Sequence, residues 1–252
     1  MKPRGEKIAV LTSYDASFTT RVEEAGADVI LVGDSLGGVI HGQATTLSVT
    51  MDDMLYHLRH VAYARQQTLL IGDMPYHSYQ DKRSALENAK RFIAAGADMV
   101  KLEGGSDQRE LVETLTRLGI PVCAHLGLQP QRVHKLGGYK VQGRDAGGAE
   151  KMLNDALVLE EAGADLLLLE CVPAELAKKV TEQVSIPVIG IGACNQTDGQ
   201  ILVVYDILGI SAGHVPKFSK NYMTESADID AAVKSYVAEV KKGVFPSVEH
   251  SF

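Results

Sequence analysis

The sequence predicts a (β/α)8 TIM barrel, and three observations carry the expectation. Short apolar runs recur along the 252 residues with helical stretches between them. These runs are continuous rather than alternating, as strands are when a parallel sheet is covered on both faces. One unit is also written three times: a small-residue turn, an apolar run and an acid. The copies are GluGluAlaGlyAlaAspValIleLeuValGlyAsp at 23–34, AlaAlaGlyAlaAspMetValLysLeuGlu at 94–103 and GluGluAlaGlyAlaAspLeuLeuLeuLeuGlu at 160–170.

In chain order, strands are expected near 8–13, 28–33, 68–72, 98–102, 120–124, 165–169, 186–191 and 207–211. Helical patterns fill 15–25, 50–65, 81–95, 107–118, 146–162, 173–184 and 195–206, with a last helix at 228–242. Thr50 before MetAspAspMet reads as an N-cap with acids in the first turn, where the helix dipole favours them. Eight strands each followed by a helix suit a closed barrel. An open doubly wound sheet is the competitor, but no GlyxGlyxxGly fingerprint opens the first crossover. No Pro/Ser-rich linker or composition shift divides residues 1–252, so a single domain is expected. Two connections are long, 34–49 and 125–145, and both follow the C-terminal end of a strand.

Composition narrows the function classes. A net charge of −7 argues against a nucleic-acid partner, which needs a clustered basic surface. No apolar run reaches the eighteen or so residues of a membrane helix. The opening MetLysProArgGlyGluLys leads into a strand rather than a signal-peptide core. Cys123, Cys171 and Cys194 lie far apart in apolar surroundings, neither a disulfide framework nor zinc-ligand spacing, and read as buried free thiols in a cytoplasmic protein.

Barrels of this type keep their chemistry at the C-terminal strand ends. There the sequence places Asp34-Ser35, Asp73, Lys101 with Glu103, His125, Glu170, Gly192 and the GlyHisValProLys segment at 213–217. Carboxylates are hard ligands, so Mg2+ is the expected metal. Asp34 and Asp73 end neighbouring strands and form the best direct pair, with Glu103 ligating directly or through water. Lys101 and Glu103, two residues apart on one strand, share a face. Three negative charges are balanced by Mg2+ and Lys101, which leaves the lysine for a substrate carboxylate. Glu170, across the barrel from the metal strands, suits the general base, and His125 can donate a hydrogen bond or a proton. HisLeuArgHis at 57–60 lies within a helix and reads as surface or core packing. The pocket therefore reads as Mg2+-assisted proton abstraction beside the carbonyl of a 2-oxo acid. The acceptor of the carbanion stays open on this reading.

Several segments resemble the ketopantoate hydroxymethyltransferase family. They include ValGlyAspSerLeuGly (32–37), GlyAspMetPro (72–75), MetValLysLeuGluGlyGly (99–105) and ProValCysAlaHisLeuGlyLeuGlnPro (121–130). GlyGlyTyrLysValGlnGlyArg (137–144), LeuLeuLeuLeuGluCysValPro (166–173), IleProValIleGlyIleGlyAla (186–193), ThrAspGlyGlnIleLeuVal (197–203) and GlyHisValProLysPhe (213–218) extend the resemblance in order. It implies transfer of a hydroxymethyl group from 5,10-methylenetetrahydrofolate to 3-methyl-2-oxobutanoate, giving 2-dehydropantoate for pantothenate and coenzyme A. It implies Asp34, Asp73 and Glu103 at Mg2+, Asp34, Ser35, Asp73 and Lys101 on the 2-oxo acid, and Glu170 as proton acceptor. It also implies a cytoplasmic homo-oligomer, a decamer of two stacked pentamers. One departure stands out: family members often carry a second glycine after GlyIleGlyAla, whereas this chain has Cys194. Rival readings are a Mg2+-dependent carbon–carbon lyase of the phosphoenolpyruvate mutase or isocitrate lyase kind, and a non-catalytic barrel that binds oxo acids. The GlyGlyTyrLys loop reads either as a lid over the substrates or as an ordered interface loop.

Overall fold

The computed structural model of the chain describes residues 1–213 and 215–252; His214, in the GlyHisValProLysPhe segment, lies outside them. Among the described residues, eight parallel strands close into a barrel in sequence order. They are β1 Ile8–Thr12, β2 Val29–Val32, β3 Leu69–Asp73, β4 Met99–Glu103, β5 Val122–Gly127, β6 Leu166–Glu170, β7 Val188–Ile191 and β8 Gly199–Leu202. Around them run helices α1 Ala16–Glu24, α2 Leu36–Val39, α3 Met51–Ala64, α4 Lys82–Ala94, α5 Arg109–Arg117, α6 Ala146–Glu161, α7 Ala174–Gln183, α8 Val204–Ile207 and α9 Ile229–Lys241. The expected TIM barrel is the observed fold. No helix among the described residues is long and apolar enough to cross a membrane.

The expected eighth strand is wrong in place. β8 lies at Gly199–Leu202, inside the segment 195–206 read as a helix, while 207–211 holds only the end of α8 and a turn. No helix separates β7 from β8, so the rule of one helix per strand fails there. Side chains that look like a polar helix face serve the β7–β8 turn instead. Gln200 Nε2 donates to Cys194 O (2.7 Å) and to Thr197 Oγ1 (2.8 Å), and Thr197 Oγ1 donates to Gly199 O (2.9 Å). A Cβ at Gly199 would stand 2.3 Å from Ile8 O, so only glycine lets β8 approach β1 this closely.

The thrice-written unit has a structural half at the bottom of the barrel. Its glycines, Gly26, Gly96 and Gly163, turn with φ of +87°, +106° and +95°. The aspartate that follows then clamps one residue of the preceding strand at two points. Asp28 N donates to Ala9 O while its carboxylate accepts from Ala9 N at 2.8 Å. Asp98 does the same to Leu70 (2.9 Å), and Asp165 to Val122 (3.0 Å). The barrel's lower interior is apolar, filled by side chains such as Ile71, Met99, Cys123 and Leu168. Two residues further along each strand, on the same inward face, come Asp73, Lys101, His125 and Glu170. Alternation alone thus carries the polar set into the barrel mouth.

Thr50 caps α3 as expected, in a reciprocal capping box with Asp53. Cys123, Cys171 and Cys194 are buried free thiols. Cys194, the departure from the family pattern, has φ +70°, a left-handed conformation that glycine adopts without strain and cysteine does not.

Candidate active site

The centre of the mouth is an ion pair. Asp73 and Lys101 are register partners on β3 and β4, and Lys101 Nζ donates to Asp73 Oδ1 at 2.7 Å. Their side chains are 2% and 5% exposed, so neither charge has water to lean on. Burial works against the Lys101 ammonium, but Asp73, Glu103 and Asp34 outweigh it and hold the proton well above the usual lysine range. Asp34 lies two residues past β2, and its backbone N–H donates to Asp73 Oδ2 at 3.2 Å. Burial first, and then the charge of Asp73, push the Asp34 carboxyl well above its ordinary range. Three acids and one lysine leave a local excess of negative charge. Ser35, beside Asp34, shares a hydrogen bond of 2.9 Å with the Tyr14 hydroxyl.

Glu103 and His125 are register partners on β4 and β5. The His125 ring stands between two acids, with Nδ1 3.6 Å from Glu103 Oε1 and Nε2 3.3 Å from Glu170 Oε2. Neither ring nitrogen, nor Glu103 Oε1, completes a hydrogen bond among the described residues. Burial and Lys101 disfavour the imidazolium, yet the two glutamates prevail and raise the His125 pKa. Glu170 is the more open acid, its side chain 15% exposed at the top of β6.

Two residues that sequence reasoning missed hold this set together. Gln131, buried in a short 3-10 helix Pro130–Arg132, donates through Nε2 to Asp34 Oδ2 (2.9 Å) and Met74 O (3.0 Å). Its backbone N–H donates to Glu103 Oε2 at 3.1 Å. The Tyr79 hydroxyl donates to Gln131 Oε1 and accepts from Glu103 N at 3.3 Å. The one signal in the sequence is position, since Gln131 directly follows the ProValCysAlaHisLeuGlyLeuGlnPro segment that ends at Pro130.

The predicted residues Asp34, Ser35, Asp73, Lys101, Glu103, His125 and Glu170 all line one cavity of about 700 Å3. Both long connections border it, the first through residues such as Gln43 and Thr45, the second through Tyr139 and Lys140. His57 and His60 do not take part: their Nδ1 atoms bond the backbone oxygens of Tyr14 and Tyr56, each at 2.7 Å. As the side chains stand, no group of three or more His, Cys, Asp or Glu residues among the described residues is closed around a metal position. The chemistry of the donors nonetheless fits a hard divalent cation. Three carboxylates, those of Asp34, Asp73 and Glu103, gather against the single ammonium of Lys101, and Glu103 Oε1 is buried without a hydrogen-bond partner among the described residues. Mg2+ needs only one or two direct carboxylates and keeps water for the rest.

The family model for ketopantoate hydroxymethyltransferase matches residues 1–248. The chain belongs to that family. It is 55% identical over 253 residues to the 3-methyl-2-oxobutanoate hydroxymethyltransferase of Alkalilimnicola ehrlichii, covering all of this chain and 91% of that one. The enzyme of the same name from Nitrosococcus oceani is also 55% identical over 253 residues, with 100% and 96% covered. Among solved structures, a phosphonopyruvate hydrolase complexed with oxalate and Mg2+ superposes with a TM-score of 0.62 at 14% identity, covering 98% of this chain and 89% of that one. A phosphoenolpyruvate phosphomutase from Streptomyces platensis gives 0.63 at 13% identity, covering 81% and 78%. At such identities the hydrolase and mutase structures share the barrel alone, whereas the hydroxymethyltransferase match is to family. Like its relatives, the chain is an enzyme.

Proposed function

We propose that this member of the ketopantoate hydroxymethyltransferase family converts 3-methyl-2-oxobutanoate, 5,10-methylenetetrahydrofolate and water to 2-dehydropantoate and tetrahydrofolate. The observation that carries the reading is a division within one cavity: Asp34, Asp73, Glu103 and Lys101 gather on one side, and Glu170 stands apart beside His125. Asp34 and Asp73, with Glu103, would hold Mg2+. When bound, that ion polarises the 2-oxo group and acidifies the neighbouring C3–H. Lys101 and Ser35 bind and orient the substrate carboxylate. Glu170 removes the C3 proton, with the His125 imidazole 3.3 Å from its carboxylate as the neighbouring hydrogen-bond or proton donor. The resulting enolate carbon bonds to the one-carbon unit of the folate iminium form, the carbon–nitrogen bond to folate breaks, and water supplies the hydroxyl. Family membership also supports a place on the route to pantothenate and coenzyme A, in the cytoplasm, as a homodecamer.

Exchange of the C3 hydrogen of 3-methyl-2-oxobutanoate in deuterium oxide, without folate, tests the base. Glu170→Gln should abolish exchange while magnesium binding persists. Exchange at the wild-type rate in that variant removes Glu170 from the role.

A further inference from the structure

Among the described residues five acids line the cavity, and the chemistry above uses four of them; the fifth is Asp206. It sits on α8, directly after β8, on the far side of the mouth from the Asp73–Lys101 pair. The segment is firmly placed, because Val204 N donates to Thr12 Oγ1 at 3.0 Å, and Thr12 itself lines the cavity. Asp206 is 5% exposed. Its carboxylate accepts from Ser211 Oγ and, at 3.3 Å, from Ser219 Oγ. No lysine or arginine among the described residues forms an ion pair with it. Two hydroxyl donors use about half of what a carboxylate accepts, since its two oxygens offer roughly four lone-pair positions. Burial pushes its pKa up, and the serines only partly offset this. A buried carboxylate without a cation is costly unless further donors reach it.

The cavity also has more room than a five-carbon oxo acid needs. Its volume of about 700 Å3 falls within the range that drug-sized ligands occupy. The oxo acid is accounted for by groups on β2 to β6. The other half of the mouth must then take the one-carbon donor, whose tetrahydropterin ring carries an N3–H and a 2-amino group side by side on one edge. Two parallel N–H donors are the complement of a carboxylate. Further along the mouth stand Phe218 and Phe252, with Lys217 Nζ 5.2 Å from the Phe252 ring centroid, an aromatic and cationic flank suited to the aminobenzoyl-glutamate portion.

We propose that Asp206 is the anchor of the pterin ring, accepting hydrogen bonds from N3–H and the 2-amino group of the folate cosubstrate. This rests on the hydroxymethyltransferase reading and adds the folate side of the same site.

The test is direct binding of tetrahydrofolate and of its 2-desamino analogue, followed by calorimetry at saturating magnesium and oxo acid. Hydrogen bonds to a charged partner are worth enough for the wild type to bind tetrahydrofolate about tenfold or more tightly than the analogue. In Asp206→Asn, which turns one acceptor into a donor, that ratio should collapse towards one through weaker tetrahydrofolate binding. Equal affinity of the wild type for the two ligands overturns the proposal without any variant, so a misfolded Asp206→Asn cannot shield it. An unchanged ratio in a folded Asp206→Asn overturns it as well. Folate-independent exchange at C3 in the wild type reports on the parent reading separately: its absence sinks the enolate chemistry, whereas the ligand ratio judges the pterin anchor.

Discussion

Gln131 Nε2 donates to Asp34 Oδ2 at 2.9 Å, and this bond joins the segment that follows β2 to the short helix that follows β5. The same residue bonds Glu103 through its backbone N–H, so one buried glutamine sets the spacing of two candidate magnesium ligands. Groups that orient metal ligands commonly change metal affinity when removed.

Gln131→Leu keeps the backbone bond to Glu103 but removes the donor to Asp34 and Met74. The concentration of magnesium giving half-maximal activity should rise about 10- to 100-fold, the range seen for such orienting groups. Leaving two buried acceptors unpaired should also lower stability by about 1–3 kcal/mol in denaturant unfolding. A magnesium titration that overlays the wild type would show that Asp34 holds its position without Gln131.

The repeated unit separates structure from chemistry within each copy. The lower acid of the third copy, Asp165, clamps Val122 at the base of the barrel, and the upper acid, Glu170, faces the cavity. Asp165→Ala should cost about 1–2 kcal/mol of stability, the worth of a charged acceptor at a partly solvated site, and leave KM for the oxo acid within twofold. Urea unfolding and steady-state kinetics on the same preparation check both halves. A KM shift larger than the stability loss explains would mean the lower ring of acids reaches the site.

What the sequence made legible follows from period and position. The inward alternation on β3 to β6 places Asp73, Lys101, Glu103, His125 and Glu170 at the mouth, and counting in twos along each strand suffices to find them. Gln131 and Tyr79 escaped because their roles depend on where loops return across the barrel, which no local pattern encodes. β8 escaped for a different reason. Four residues beginning with glycine give little strand signal, and the adjoining run to Ile210 is equally apolar, so the apolar pattern points eight residues past the strand. The acids at the bottom of the barrel were visible in the repeat, but their two-point clamp depends on the neighbouring strand.

Glu23 provides a pH test of the fold, independent of the site. Its carboxylate accepts from the backbone N–H groups of Gln66, Gln67 and Thr68 at 2.8, 2.7 and 2.7 Å, and from Thr68 Oγ1 at 2.8 Å, tying the end of α1 to the entry of β3. Partial burial alone would raise its pKa, but these four donors prevail and bring it down to about 2, from an ordinary value of 4.5. A folded-state pKa below the unfolded one means stability that is fully present above pH 4.5 and drains away as the pH falls towards 2. Glu23→Gln resembles the protonated residue at every pH. The variant should therefore be less stable than the wild type at pH 7, by about 1–2 kcal/mol. The gap should narrow once the pH drops below 4.5, as the wild type loses what the variant never had. Urea midpoints at pH 7, 5 and 4 measure it. A gap that stays constant across that range would show that the four donors do not discriminate between carboxylate and amide.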